Sequence, residues 1–161
     1  MSVYVYPGTF SPPHRGHLEI VWRCYEEFGQ LYVVCSQNPE KEGQVLFTPE
    51  ECKMFWQTYD LPEGVQIVTL SELQDIIVDF KKIIMVRGVR DDRDFEHEKA
   101  VTFKNFRELG IDKILLLVSG EEFREFSSTR VRHLASEGKR EELEQMVSKP
   151  IAEALLLKLH K

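Results

Sequence analysis

Short apolar runs rich in β-branched residues recur five times along this chain, at residues 2–6, 31–35, 65–69, 83–86 and 113–118. Between them lie longer stretches with helical spacing and helical punctuation. Thr48-Pro49-Glu50-Glu51 forms a capping box with proline at the first helical position, predicting a helix to about Tyr59. Ser71 is placed to cap a helix over 72–80, and Asp94 a longer one that ends at Leu109-Gly110. Ser127 is placed to cap 128–137, which stops at Gly138, and the segments 141–147 and 150–160 have helical spacing with no strand after them. Strands that alternate with helices require crossover connections. Few architectures satisfy that: the expectation is an α/β, doubly wound, five-stranded parallel sheet followed by C-terminal helices.

At 161 residues with no linker, repeat or low-complexity tract, the chain is expected to be one domain, residues 1–161. The net charge of −6 argues against general nucleic-acid binding, which needs a basic surface. It leaves phosphate ligands open, because local arginines and lysines decide those. Cys24, Cys35 and Cys52 form no CxxC pair and sit in apolar or helical stretches, so buried reduced thiols are expected. No basic flank with a long apolar stretch marks a signal peptide, and no run approaches a membrane span, so a cytoplasmic location is expected.

Ligands of such sheets bind beyond the carboxyl ends of the strands. Four unusual polar clusters fall there. The first strand delivers Thr9 through His17, the second Ser36 to Lys41, the fourth Arg87-Gly88-Val89-Arg90, and the fifth leads to Ser127-Ser128-Thr129-Arg130. A strand, turn and helix mouth at Gly8–His17 gathers free backbone N–H groups and the positive helix end at one point, which suits a phosphate. His17, in the first helical turn, adds a donor that can follow a phosphoryl group through its transition state. The competing readings are two solvated histidines or an ordinary turn. His14 has no carboxylate or cysteine at zinc-ligand spacing, so no metal site is expected.

Arg87 and Arg90 flank Gly88 at a strand end, and guanidinium forks bind phosphate oxygens through paired, charge-assisted bonds. Surface salt bridges with Asp91, Asp92 and Asp94 are the alternative, an easier one for Arg93 than for arginines at the strand end. Ser127, Ser128 and Thr129 combine hydroxyls with a helix start, although a plain serine cap would look the same. Lys41 lies in a loop after the second strand, from which it could reach a transferring phosphate. No GxGxxG follows the first strand, and neither a GxxxxGK[ST] loop nor a GxSxG elbow occurs.

Tyr6-Pro7-Gly8-Thr9-Phe10 with His14, Gly16 and His17 resembles the T/HxGH signature of the nucleotidyltransferases, which move a nucleoside monophosphate from a triphosphate onto an acceptor. With Asn38-Pro39 and Lys41, the stretch Arg87-Gly88, Arg90, Asp94-Phe95-Glu96 and Glu98, and Ser127-Ser128-Thr129 with Val131-Arg132, the chain is more closely similar to phosphopantetheine adenylyltransferase. The resemblance runs in order from Tyr4 to about Arg132. It implies a Rossmann-like nucleotidyltransferase fold, a homohexamer, and transfer of AMP from ATP to 4′-phosphopantetheine in coenzyme A synthesis. Mg²⁺ would arrive with ATP, and CoA is a candidate feedback ligand. No nucleic acid or membrane partner is implied.

Carried onto matching positions, the resemblance puts Thr9, Phe10 and Lys41 on the acceptor phosphate, with Arg87 as anchor and Asn105 beside the pantetheine arm. His17 would stabilise the α-phosphoryl group, with Lys41 and Arg90 as its catalytic companions. Thr9, Phe10, His14, Gly88, Arg90, Ser127, Ser128 and Thr129 would surround ATP, Arg90, Ser128 and Thr129 on its β- and γ-phosphates, and Glu98 would reach the phosphates through water. The chain departs from the family's usual pattern in having Ser11 for aspartate, His97 for an aromatic residue, Cys52 for arginine and Arg124 for an aromatic residue near the adenine. The loop from Lys41 to Phe47 is about two residues longer. Other readings of the same motifs are a nicotinate mononucleotide adenylyltransferase, a glycerol-phosphate type cytidylyltransferase, or a nucleotide-sensing module without turnover.

Overall fold

The computed structural model describes residues 2–37, 46–79, 82–99, 111 and 113–161. Strands β1 (Ser2–Gly8), β2 (Leu31–Cys35), β3 (Val65–Thr69), β4 (Lys82–Val89) and β5 (Lys113–Val118) form one sheet in the order β3-β2-β1-β4-β5, and every pairing is parallel. The order reverses between β1 and β4. That reversal opens a crevice beyond their carboxyl ends, where such sheets hold ligands.

Side chains alternate across the strands, so each strand feeds both faces. Tyr6, Leu31, Val33, Cys35, Ile67 and Val86 enter one core with helices α1 (Arg15–Phe28), α2 (Pro49–Trp56), α5 (Ser128–Ser136), α6 (Arg140–Met146) and α7 (Lys149–Leu159). Val3, Val5, Val34, Val68 and Met85 enter the other, with Leu73 of α3 (Leu70–Ile77) and Ile111. A sheet buried on both faces explains why its strands are apolar runs rather than alternating ones. The helix that follows β4, α4, is described over residues 92–99.

Several local expectations need correction. β1 and β4 run past their expected ends, to Gly8 and Val89, because their neighbours β2 and β5 go on offering backbone partners. α2 has the expected Thr48 capping box but closes at Trp56. Thr69, not Ser71, caps α3: its hydroxyl accepts from Glu72 N while Glu72 reaches back to the Thr69 amide. α4 starts before Asp94, since Asp91 accepts the Asp94 amide at 2.9 Å. The expected end of that helix at Leu109-Gly110 lies outside the described residues. Ser127 does cap α5, and the chain turns at Gly138 with φ +72.

All three cysteines are free and buried, and burial pushes their thiols up, to about 11 at Cys24 and about 12 at Cys35 and Cys52. None is set up as a nucleophile. Among the described residues no helix is long and apolar enough to cross a membrane.

Candidate active site

The turn that leaves β1 is held in one conformation from several sides. Phe10 has φ +44, a left-handed value uncommon for a bulky residue, and its ring is buried against Tyr6, His17 and Trp56. Packing on three aromatic neighbours holds a backbone that would otherwise relax. Tyr59 donates its buried hydroxyl to Pro13 O at 2.8 Å, and Arg132 Nη1 donates to Ser11 O at 3.1 Å. Ser11 Oγ accepts the amides of both Leu46 and Phe47, at 3.0 and 3.1 Å. The hydroxyl at this position therefore does a carboxylate-like job, taking two N–H bonds at once.

His14 and His17 cap α1 with each other. His14 Nδ1 accepts from the amides of Gly16 (3.1 Å) and His17 (3.4 Å), while the His14 amide donates to Nδ1 of His17 at 3.1 Å. The two rings stack with centroids 3.6 Å apart. Since both Nδ1 atoms accept, each neutral ring carries its proton on Nε2. Gly16 makes the stack possible: a Cβ there would lie 2.9 Å from His14 ring atoms and 3.2 Å from Phe126 Cβ.

Burial draws the pKa of His14 down to about 3, with the charge of Arg90 adding to the effect. His17 is also lowered well below its usual value, first by burial and then by His14, Arg90 and Arg87. His17 itself is partly buried. Both rings are neutral at physiological pH, and His17 offers an Nε2–H donor.

The second wall comes from β5 and α5. Ser128 Oγ donates to Pro12 O at 3.3 Å, and the Phe126 ring lies edge-on to His14 at 6.3 Å. The mouth of α5 therefore stands directly against the turn after β1. Neither α1 nor α5 has an acidic residue in its first turn, whereas α2, α3 and α6 do. Two helix ends with uncompensated positive poles meet here. Ser127 spends its hydroxyl on the Arg130 amide, and Thr129 Oγ1 accepts from Arg132.

The third wall is the end of β4. Arg87 lies alongside Glu98, donating Nε to both carboxylate oxygens and Nη2 to Oε1 at 2.9 Å, while Nη1 bonds Pro7 O at 2.7 Å. Arg90 makes the corresponding set: Nε and Nη2 to Asp94 at 2.8 and 3.1 Å, and Nη1 to Phe126 O at 3.0 Å. The ion-pair alternative therefore describes Arg90, on Asp94, and Arg87 pairs with Glu98, which that alternative did not include; strand-end arginines, expected to pair less readily than Arg93, both lie on carboxylates. Glu98 is buried on Arg87, where the resemblance implied water-mediated contact with ATP. Beside Arg90 opens a cleft of about 390 Å³ lined by Asp91, Glu121, Arg124 and Glu125.

Phe10, His14 and His17 thus stand together where the turn after β1 enters α1. Ser128 meets that turn at Pro12 O and Arg87 meets β1 at Pro7 O, while Arg90 reaches Phe126 O beside Ser127 and Glu98 lies on Arg87. Thr9 follows β1, Gly88 lies in β4 against Ile20, and of these residues Arg90 alone lines the cleft. Lys41 and Asn105 lie outside the described residues. Among those described, no three His, Cys, Asp or Glu side chains converge as metal ligands. Sequence reasoning missed Arg132, a half-buried guanidinium on backbone and hydroxyl oxygens, and gave Asp94 as a helix cap or one of three aspartates for surface salt bridges, not as the one partner of Arg90. Their spacing was the available signal: Arg132 is one helical turn beyond Thr129, and Asp94 one turn beyond Arg90.

The cytidylyltransferase-like family profile matches residues 5–134. Phosphopantetheine adenylyltransferase of Aquifex aeolicus is 38% identical over 82% of this chain and 81% of its own length. The protein of that name from Levilactobacillus brevis is 30% identical over 99% of this chain and 98% of its own. Among solved structures, nicotinic acid mononucleotide adenylyltransferase of Plasmodium falciparum superposes with a TM-score of 0.63 at 9% identity, covering 98% of this chain and 94% of that one. At that identity the likeness speaks for the fold alone.

Proposed function

We propose that this chain, which belongs to the cytidylyltransferase-like family and within it to the phosphopantetheine adenylyltransferases, transfers AMP from ATP to 4′-phosphopantetheine, yielding 3′-dephospho-CoA and pyrophosphate. The observation that carries the mechanism is the mutual capping of His14 and His17. It fixes the His17 ring through Nδ1 and keeps Nε2–H as the donor of a neutral ring, beside the place where the mouths of α1 and α5 meet.

The acceptor is a phosphate dianion at neutral pH, so no general base is needed. Its oxygen attacks the α-phosphorus of ATP, and the bond from that phosphorus to the bridging oxygen breaks, releasing pyrophosphate. Catalysis then consists of holding two anions in line and stabilising charge on the transferring group. His17 donates to the α-phosphoryl oxygens. Arg90, with Ser128, Thr129 and the free amides of α5, takes the β- and γ-phosphates. Arg87 and Thr9 hold the acceptor phosphate. Arg132, anchored on Ser11 O and Thr129, adds positive charge on the same side. Lys41 keeps its assignment to the acceptor phosphate and Asn105 to the pantetheine arm. ATP enters as its Mg²⁺ complex, and the metal belongs to the substrate.

The same reading makes the chain one nucleotidyltransferase domain, a homohexamer of the cytoplasm, with CoA as a feedback ligand. The deciding experiment incubates the protein with MgATP and each acceptor and measures pyrophosphate. Robust release is expected with 4′-phosphopantetheine, little with nicotinate mononucleotide, and none with dephosphorylated pantetheine, which lacks the nucleophilic oxygen. Efficient turnover of the mononucleotide with poor turnover of phosphopantetheine would overturn the assignment.

A further inference from the structure

The two arginines at the end of β4 are held by one repeated device. In each, Nε and Nη2 lie along a carboxylate from α4, Asp94 for Arg90 and Glu98 for Arg87, and Nη1 is bonded to a main-chain carbonyl of a neighbouring segment. Three of the five guanidinium N–H bonds are thereby used, which leaves one on each terminal nitrogen. Phosphate oxygens need those remaining N–H groups, and a long arginine chain ordinarily spends entropy to present them. Asp94 carries a second restraint, because its Oδ2 also accepts the Arg90 backbone amide at 3.0 Å. One carboxylate thus fixes both ends of the same residue. Burial alone would raise the Asp94 pKa, yet the bonds from Arg90 side chain and backbone outweigh it and hold the carboxyl below its usual value.

We propose that Asp94 is a positioning residue for ATP: it presents Arg90 to the β- and γ-phosphates without touching the nucleotide itself. The inference rests on the assignment of Arg90 to ATP made above. It removes Asp94 from the role of helix cap, which Asp91 fills. Glu98 does the corresponding work for Arg87 and the acceptor phosphate, so the two carboxylates divide the substrates between them.

Steady-state kinetics with each substrate varied separately test this. Asp94→Asn keeps size and one acceptor oxygen but loses the charge that holds the fork, and should raise the KM for MgATP about tenfold, the scale of one charge-assisted bond. The KM for 4′-phosphopantetheine should stay within about twofold. Asp94→Glu, with the carboxylate restored, should recover part of the ATP affinity. In an Arg90→Lys background, Asp94→Asn should add little, because its effect runs through the fork already lost. Equal rises in both KM values would mark a merely structural role and overturn the inference, as would independent, multiplying effects of the two substitutions. An unaffected Asp94→Asn beside an impaired Arg90→Lys sinks the inference and leaves the ATP assignment of Arg90 standing. A silent Arg90→Lys sinks both. Calorimetric titration of the same variants with MgATP alone gives the answer without turnover.

Discussion

The histidine turn after β1 and the arginine corner after β4 face one crevice and are built on opposite principles. The turn is apolar and closed: Phe10 and His14 are almost completely buried, no carboxylate takes part, and the histidines are held by backbone amides and by each other. The corner is ionic and half-open, with Arg87 and Arg90 side chains 26% and 33% exposed and carboxylates lying against them. A neutral donor must not gain a proton, so the fold desolvates it. A cation must keep its charge yet stop moving, so the fold gives it a counter-ion on one side only. Burial sets protonation and ion pairing sets direction.

The largest effect should come from the closed side. His17→Ala removes one preorganised donor, and losses of that kind cost on the order of 10²–10³-fold in turnover. Calorimetric ATP affinity should change little. Unchanged turnover in a rapid-quench assay would remove His17 from the mechanism and blur the comparison.

Next in size is the acid response of the same turn. The folded-state pKa of His14 is about 3, far below that of a solvated histidine, so below about pH 6.5 the unfolded chain binds a proton that the folded one refuses. The stability His14 contributes is complete above that pH and is lost as pH falls from about 6.5 toward 3. The slope approaches about 1.4 kcal/mol per pH unit. Urea unfolding at a series of pH values should show it. His14→Asn, which keeps an N-cap acceptor but has no titrating ring, should lower the slope and leave the share that His17 carries. An equal slope in parent and variant would place the acid sensitivity elsewhere.

Arg90→Lys probes the open side and should weaken MgATP by about tenfold although the charge is kept, because the planar fork is lost. Moderate salt should lower ATP affinity in the parent while leaving the acid slope of the histidine turn in place, since exposed charges are screened and buried neutral rings are not. The smallest effect belongs to Thr48, a helix cap bonded to Glu51 rather than to either region. Thr48→Ala deletes the α2 cap and should cost about 1 kcal/mol in stability, with KM and kcat unchanged. A change in either constant would show that α2, through Cys52 and Trp56, couples to the crevice.

What could be read from residues alone was local and periodic. The five strands, their alternation with helices, the Thr48 and Ser127 caps and the histidine-bearing helix mouth all follow from spacing, and β2, β3 and β5 have the expected bounds. The resemblance on Arg87 to Glu98 and Ser127 to Arg132 supplied the chemistry. Pairing across the chain was not legible, because partners chosen in three dimensions leave no period. Spacing puts Asp94 one turn beyond Arg90 but suits a helix cap equally well, so it does not say that Asp94 turns to Arg90 and leaves the helix start to Asp91, or that Thr69 caps α3 ahead of Ser71. Nor does it say that Ser11 would fasten Leu46 and Phe47. The sequence by itself determined the parallel α/β sheet and which residue types stand at its strand ends, since periodicity and residue type act within a few residues. Only the tertiary structure decided which carboxylate aims which arginine and why both histidines stay neutral, since burial and counter-ion geometry exist only once distant segments are packed together.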